Sequence, residues 1–182
     1  KAYKPILKAG GIEKLFAILR NYSVNLTTKK PPPIHEDDDE NEIMLLQNKP
    51  SIIDQISLNT ISVLCNLSDQ HDIKVSLSTI SDMTSVMVKI LEFSTNEDIQ
   101  SRMAILIGDV ASVDETVKIQ FAKQGTLFKL LNLLNSDYED LLVNTVNTIE
   151  IMCRNNAENQ NFCCENNVFE CFISLLKLNS GN

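Results

Sequence analysis

The chain has 182 residues, and 43% of them are hydrophobic, which is enough for one continuous core and argues against disorder throughout. Its formal net charge is −8, and six of its acids stand together in residues 36–42, so the rest of the chain is nearly neutral. Without a concentrated basic face no nucleic-acid binding is expected, and no apolar run approaches the roughly 20 residues of a membrane span.

The first predicted unit, repeat 1, occupies residues 1–69. Its Ala9-Gly10-Gly11-Ile12 motif predicts a sharp turn between two helices, because glycine tolerates the positive φ that such a bend needs. In residues 11–19 the apolar side chains fall three and four apart, which is typical of an amphipathic helix. A second apolar phrase, in residues 56–67, predicts the longer helix that completes the unit.

An acidic and proline-rich insertion, residues 21–50, interrupts this unit between its middle and last helices. The prolines of residues 31–33 cannot continue a helix, and the acidic run after them has almost nothing to bury. We expect residues 28–47 to be a mobile surface loop, and the alternative is an acidic docking or regulatory segment. His35 lies beside these acids, but no second His or Cys at ligand spacing accompanies it, so we predict no metal site.

The apolar pattern of residues 11–19 recurs three more times along the chain. Its four copies end at Leu19, Leu91, Leu134 and Leu176, so the last two steps are 43 and 42 residues and the first is 72. The second phrase begins at Ile56, Ile99 and Leu141 and shares the offsets 43 and 42. Periods of roughly 40–47 residues are typical of armadillo and HEAT repeats. We therefore predict repeat 2 at residues 70–113, repeat 3 at 114–156 and a partial repeat 4 at 157–182.

Two of these motifs resemble the armadillo repeat: the turn Ala9-Gly10-Gly11-Ile12 and the helix ending Ile61-Ser62-Val63-Leu64-Cys65-Asn66-Leu67-Ser68. The resemblance implies an all-α fold, an armadillo-type right-handed superhelical solenoid of about four repeats, the first interrupted and the last incomplete. Further stretches are similar to the armadillo region of proteins that also contain ankyrin repeats, which implies ankyrin repeats elsewhere in the parent chain. These stretches are Ser101-Arg102-Met103-Ala104, Asp109-Val110-Ala111, residues 142–147, Cys153 and Asn159-Gln160.

The resemblance also implies a place for binding. In armadillo arrays the third helices line a concave groove, where side chains four residues apart meet the ligand. The chain has no Trp, so it lacks the Trp–Asn ladder of nuclear import receptors. We predict that a protein or extended peptide binds in this groove, and the alternative is a merely solvated concave face. The predicted contact residues are Asn59, Ser62, Asn66, Arg102, Ile105, Asp109, Asn144 and Asn147.

We interpret the chain as a non-catalytic scaffold for protein–protein interaction, without a cofactor or a metal. Two alternatives stay open, an import-receptor-like carrier groove and an architectural spacer in a larger assembly. No enzyme is expected, because the chain has only two histidines and no glycine-rich phosphate loop. Its five cysteines fit no disulfide framework, which is typical of reduced thiols in a cytoplasmic protein. Cys163 and Cys164 are adjacent on one predicted helix, so they should point in different directions.

The two ends of the chain carry a further expectation. The chain begins with Lys rather than Met, and we interpret it as a fragment of a longer protein. Units of a solenoid bury their apolar faces only against their neighbours, so with an uncapped last helix the fragment should self-associate or be marginally stable. The apolar residues expected to be uncovered are Phe169, Phe172, Ile173, Leu175 and Leu176.

Overall fold

The computed structural model describes residues 3–28 and 51–179. These residues form eleven α-helices and no β-strand, so the all-α class is confirmed for this part of the chain. In chain order they are α1 (Lys4–Lys8), α2 (Gly11–Thr28), α3 (Ile52–Ser68), α4 (His71–Ser78), α5 (Met83–Phe93), α6 (Glu97–Ala111), α7 (Glu115–Lys123), α8 (Thr126–Leu133), α9 (Glu139–Cys153), α10 (Ala157–Glu165) and α11 (Val168–Asn179).

The helices pack in two rows. The long helices α3, α6 and α9 lie side by side and form what we call the third-helix row. Helices α2, α5 and α8 lie side by side in a second-helix row, and each packs against the long helix that follows it in the chain. The short helices α4, α7 and α10 lie between these elements in sequence and contact the third-helix row. Such packing of each unit on its neighbours is consistent with an α-solenoid.

Sharp turns precede the second helices, as the sequence predicts. These turns do not all have the same backbone conformation. Gly10, Gly125 and Asn167 have φ of 65°, 72° and 55°, the left-handed region that glycine and asparagine tolerate best. Asp82 has φ of −105° instead. Its carboxylate accepts two hydrogen bonds from the Arg20 guanidinium, at 2.6 Å and 2.7 Å, and these bonds lower the pKa of Asp82. This ion pair joins α2 to the start of α5.

Helix α2 is longer than the sequence indicates. Residues 21–28, assigned above to the insertion, form its last two turns. Tyr22 is buried there, and its hydroxyl donates to Asp54 Oδ1 at 2.8 Å. Asp54 also caps the start of α3 through a reciprocal pair of bonds with Ser51. Burial of the Tyr22 ring and its hydrogen bond to Asp54 stabilise these last two turns, so that α2 extends to Thr28. The remaining insertion residues, 29–50, lie outside the described residues, so the predicted loop and His35 are not tested.

One continuous core runs from α2 to α11. Helix α6 lies in the middle of it, since nine of its fifteen residues are buried. At the C-terminal end, two of the five apolar residues of α11 that were expected from the sequence to be exposed are instead partly covered. Phe172 and Leu175 are half-buried and pack against the core, whereas Phe169, Ile173 and Leu176 are exposed. Helix α11 therefore presents a narrower apolar stripe than the sequence predicts.

Two threonines of α9 are both buried but differ in hydrogen bonding. Thr148 Oγ1 lies 2.8 Å from the carbonyl oxygens of Ala104 and Asn144, to which it donates. Thr145 Oγ1 is buried without a hydrogen-bond partner. A buried polar group without a partner is unfavourable by about 1–3 kcal/mol, and a paired hydroxyl contributes about 1 kcal/mol.

Valine has the shape of threonine without the hydroxyl, so the two positions should respond with opposite signs. We expect Thr145→Val to raise the free energy of unfolding by about 1 kcal/mol, because it removes the unpaired hydroxyl. We expect Thr148→Val to lower it by about 1 kcal/mol, because the bond to α6 is lost. Urea unfolding followed by circular dichroism measures both. Equal effects at the two positions would contradict the assigned hydrogen bonding.

Candidate partner-binding face

The eight residues predicted to contact a partner all lie on one side of the third-helix row, away from the second-helix row. We call this side the open face. On each long helix the core residues occupy the opposite side of the helical wheel. None of the eight is buried. Asn59, Asn66, Arg102 and Asn147 are exposed, and Ser62, Ile105, Asp109 and Asn144 are half-buried.

At the junction of α3 and α6, Asp109 is already engaged within the fold. Its Oδ2 accepts a hydrogen bond from Ser68 at 2.5 Å, and its Oδ1 lies 3.7 Å from the Lys74 ammonium of α4. These contacts tie α3 and α4 to the end of α6. Asp109 is therefore first a structural residue, and only its remaining lone pairs could meet a ligand.

A thiol makes a second link at the same junction. Cys65 Sγ donates to the carbonyl oxygen of Arg102 at 3.4 Å. Burial raises the pKa of Cys65 to about 12, and the negative charge of Asp109 adds to the effect. The thiol thus stays protonated and available as a donor at neutral pH. Because Cys65 is next to Asn66, this contact brings the exposed residues of α3 alongside Arg102.

At the junction of α6 and α9, three predicted residues meet around one pocket of about 240 Å³. Asn144 Nδ2 donates to Ser101 Oγ at 2.9 Å, which fixes one wall. Tyr138 donates to Asp98 Oδ1 at 2.6 Å, and this bond raises the pKa of the tyrosine. The pocket is open to solvent and mainly polar. Its lining residues are Asp98, Ser101, Arg102, Ile105, Tyr138, Asp140 and Asn144.

The structure does not bring all eight predicted residues to that pocket. Asn59, Ser62 and Asn66 point outward from α3, and two of them bond within their own helix. Asn59 Oδ1 accepts from Gln55 Nε2 at 3.2 Å, and Ser62 Oγ donates to the carbonyl of Leu58 at 2.7 Å. Asn147 lies further along α9. The open face is thus a row of polar side chains with one concavity, and the predicted residues do not form a regularly spaced series of contacts along it.

The sequence prediction missed several residues of this face. Asp98 and Asp140 line the pocket, and each stands four residues before a predicted residue, Arg102 or Asn144. A search one helical turn before each predicted residue of the same helix face would have found them. Tyr138 could not be found in this way, because it precedes α9 rather than belonging to its periodic pattern.

Residues 3–28 and 51–179 also bear on metal binding and on membrane insertion. In these ranges no three His, Cys, Asp or Glu side chains are grouped closely enough to hold a metal ion. None of the helices formed by these residues has the length and apolar character needed to cross a membrane.

A comparison with models of protein families finds no match for this chain. A comparison with curated proteins finds a stretch of 63 residues that is 36% identical to the human (Homo sapiens) Ankyrin and armadillo repeat-containing protein. The match covers 35% of this chain and 4% of the length of that protein. The similarity suggests a repeat protein, and the all-helical fold agrees with it. A repeat-containing helical protein in turn suggests a scaffold for protein interaction.

Proposed function

We propose that this chain is an armadillo-type solenoid that binds a protein or an extended peptide along its open face and has no catalytic activity. The order of the helices supports the armadillo type. Three times, a short helix and a second helix are followed by a third helix of 15 or 17 residues, and in the first unit the second helix is itself extended to 18 residues. Hydrogen bonds between α6 and α9 join residues 43 and 44 positions apart, close to the predicted period of 42 to 43 residues. In the proposal there are about four such repeats, which together form a right-handed superhelix.

The observation that carries the binding proposal is the uncovered polar strip on the third-helix row. Neighbouring packed helices lie roughly 8–10 Å apart, and an extended chain advances about 3.3 Å per residue. An extended peptide laid across α3, α6 and α9 could therefore offer about every third residue to a new helix. Solenoids commonly bind their partners on a surface of this kind.

The side chains of the open face suggest what such a peptide would look like. The amide of Asn66 can donate to and accept from a peptide backbone. The pocket between α6 and α9 carries the carboxylates of Asp98 and Asp140 and the single guanidinium of Arg102. Its acids favour a peptide side chain rich in hydrogen-bond donors, such as lysine or arginine. Arg102 would then pair with a backbone carbonyl or an acid at the next position.

The test of this proposal uses peptides selected from a random display library for binding to the chain. We expect the double variant Asn66→Ala and Arg102→Ala to bind the selected peptides about tenfold more weakly or worse. A lost neutral hydrogen bond costs about 0.5–1.5 kcal/mol, a charged one costs more, and about 1.4 kcal/mol corresponds to tenfold in Kd. Fluorescence anisotropy measures Kd, and the melting temperature should stay unchanged, because both side chains are exposed.

A control variant that likewise removes one basic residue and one asparagine lies on the second-helix row, Lys89→Ala with Asn132→Ala, both exposed on α5 and α8. It should bind the peptides as the wild type does. If the control loses binding and the open-face variant keeps it, the ligand does not use the open face. If no peptide is selected at any affinity, the architectural-spacer alternative is favoured.

A further inference from the structure

Two cysteines that are ten residues apart in the sequence meet in the structure. Cys153 is the last residue of α9, Cys163 lies on α10, and their sulfur atoms are 3.3 Å apart. Cys163 is 6% exposed, whereas Cys153 is half-buried and reachable from solvent. A disulfide bond is about 2.05 Å long, so the two sulfur atoms are in contact and would have to approach by a little over 1 Å to form one.

A network of asparagine and glutamine bonds holds the turn that brings the two cysteines together. Asn156 caps α10, because its Oδ1 accepts a hydrogen bond from the backbone N–H of Asn159 at 2.7 Å. Asn159 Nδ2 donates to the Met152 carbonyl at 2.7 Å, and Gln160 Nε2 donates to the Cys153 carbonyl at 2.9 Å. Asn156 and Asn159 are themselves buried. The end of α9 is thus bonded directly to the first turn of α10, which keeps the two thiols beside each other.

The two thiols have different acidities because of their contact. The hydrogen bond between the two thiols, in which either sulfur can be the donor, lowers the pKa of Cys153, against the opposing effects of burial and of Glu150. Lys118 assists in the same direction as the bond. The same contact, together with burial, raises the pKa of Cys163. Cys153 is also the more exposed of the two, so it is the thiol that a hydroperoxide reaches first, with Cys163 directly beside it.

We propose that Cys153 and Cys163 are a site of reversible oxidation, at which a hydroperoxide converts the two thiols into a disulfide. In the first step the Cys153 thiolate attacks the outer oxygen of the hydroperoxide, which gives a sulfenic acid and releases an alcohol or water after protonation. In the second step Cys163 sulfur attacks the Cys153 sulfenic sulfur. The S–O bond breaks, and the hydroxide leaves with the Cys163 proton as water. Two thiols are oxidised, and one peroxide bond is reduced.

The neighbouring cysteine provides a matched comparison. Cys164 is exposed, adjacent to Cys163, and on a different side of α10. If exposure alone decided oxidation, Cys164 would react first. If the contact decides it, Cys153 and Cys163 pair and Cys164 stays free. This inference is independent of the open face and of the proposed peptide binding.

The test treats the whole chain with one equivalent of hydrogen peroxide and maps its tryptic peptides by tandem mass spectrometry, whose fragment ions distinguish Cys163, Cys164 and Cys171 within the one peptide that they share. Trypsin cleaves after Arg154, so Cys153 and Cys163 fall in different peptides and a bond between them is seen as a linked pair. We expect the chain to lose the mass of two hydrogen atoms, the free thiols to fall from five to three, and dithiothreitol to restore all five. A linkage of Cys153 to Cys164 or Cys171, or oxidation of Cys164 without a linkage, would overturn the proposal.

Two variants sharpen this result. Cys164→Ser should form the linkage at the wild-type rate. Cys163→Ser should form none, and its Cys153 should accumulate as a sulfenic acid that dimedone traps. A linkage that persists in Cys163→Ser overturns the assignment of the pair. The wild-type peptide map decides the matter on its own if the Cys163→Ser chain does not fold.

Discussion

Replacing Gly108 with leucine is expected to lower the free energy of unfolding by about 3 kcal/mol, the upper part of the usual range for an overpacked core. Gly108 is buried on α6, where this helix packs against α9. A Cβ atom there would lie 3.2 Å from Ile151 Cδ1 and 3.3 Å from Thr148 Oγ1. A leucine side chain has no space between these neighbours, so the two long helices must separate. Denaturant unfolding monitored by circular dichroism measures the change.

Alanine at the same position is the control. Its Cβ meets the same two atoms, but the end of the Ile151 side chain is flexible and can shift by a few tenths of an ångström. Alanine also favours a helix over glycine by about 1 kcal/mol. We therefore expect Gly108→Ala to change the stability by less than about 1 kcal/mol. A Gly108→Leu chain as stable as the wild type would show that α6 and α9 are not packed as closely as described.

The triple variant Phe169→Gln, Ile173→Gln and Leu176→Gln is expected to abolish self-association of the chain. These side chains are 63%, 50% and 70% exposed and stand on one stripe of α11. Apolar surface that becomes buried between two copies contributes roughly 25 cal/mol per Å², so the wild-type chain should associate as its concentration rises. In analytical ultracentrifugation the variant should keep the mass of one chain, 20.4 kDa, at every concentration.

The other end of the array offers a matched control. Ile52 and Ile56 are exposed on α3, at 80% and 48%. If association uses the α11 stripe alone, the double variant Ile52→Gln and Ile56→Gln should associate as the wild type does. Head-to-tail association through both ends would be disrupted by either variant. A wild-type chain that stays monomeric at high concentration would contradict the expectation for both ends.

Much of the fold follows from the sequence because its local signals agree. The left-handed turns at Gly10, Gly125 and Asn167 are marked by the residue types that tolerate them. The end of α2 is not marked in this way. It depends on Tyr22 bonding to Asp54, which is 32 residues away, and periodicity within one helix carries no information about such a contact. The prolines of residues 31–33 set a position that α2 cannot pass, but they do not determine at which earlier residue it ends.

The candidate site was predictable to a similar degree and for the same reason. Spacing along one helix decides which side chains share a face, so all eight predicted residues are at least partly exposed. The partners of these residues come from other elements. Ser68 donates a hydrogen bond to Asp109, and Tyr138 lines the pocket beside Arg102 and Asn144. Each of these contacts depends on how two helices pack, which a single sequence without an alignment does not encode in its spacing.

Helix α6 performs different tasks at its two ends, and this has a mechanical consequence. Near its start Asp98 and Arg102 line the pocket, and near its end Asp109 bonds to Ser68 of α3. Because the helix is a stiff rod, a tilt that accommodates a peptide at one end must displace the carboxylate at the other. Ligand occupancy and the bend of the array between α3 and α6 would then change together. The hydrogen bond between Ser68 and Asp109 would oppose such a change, because the change stretches it.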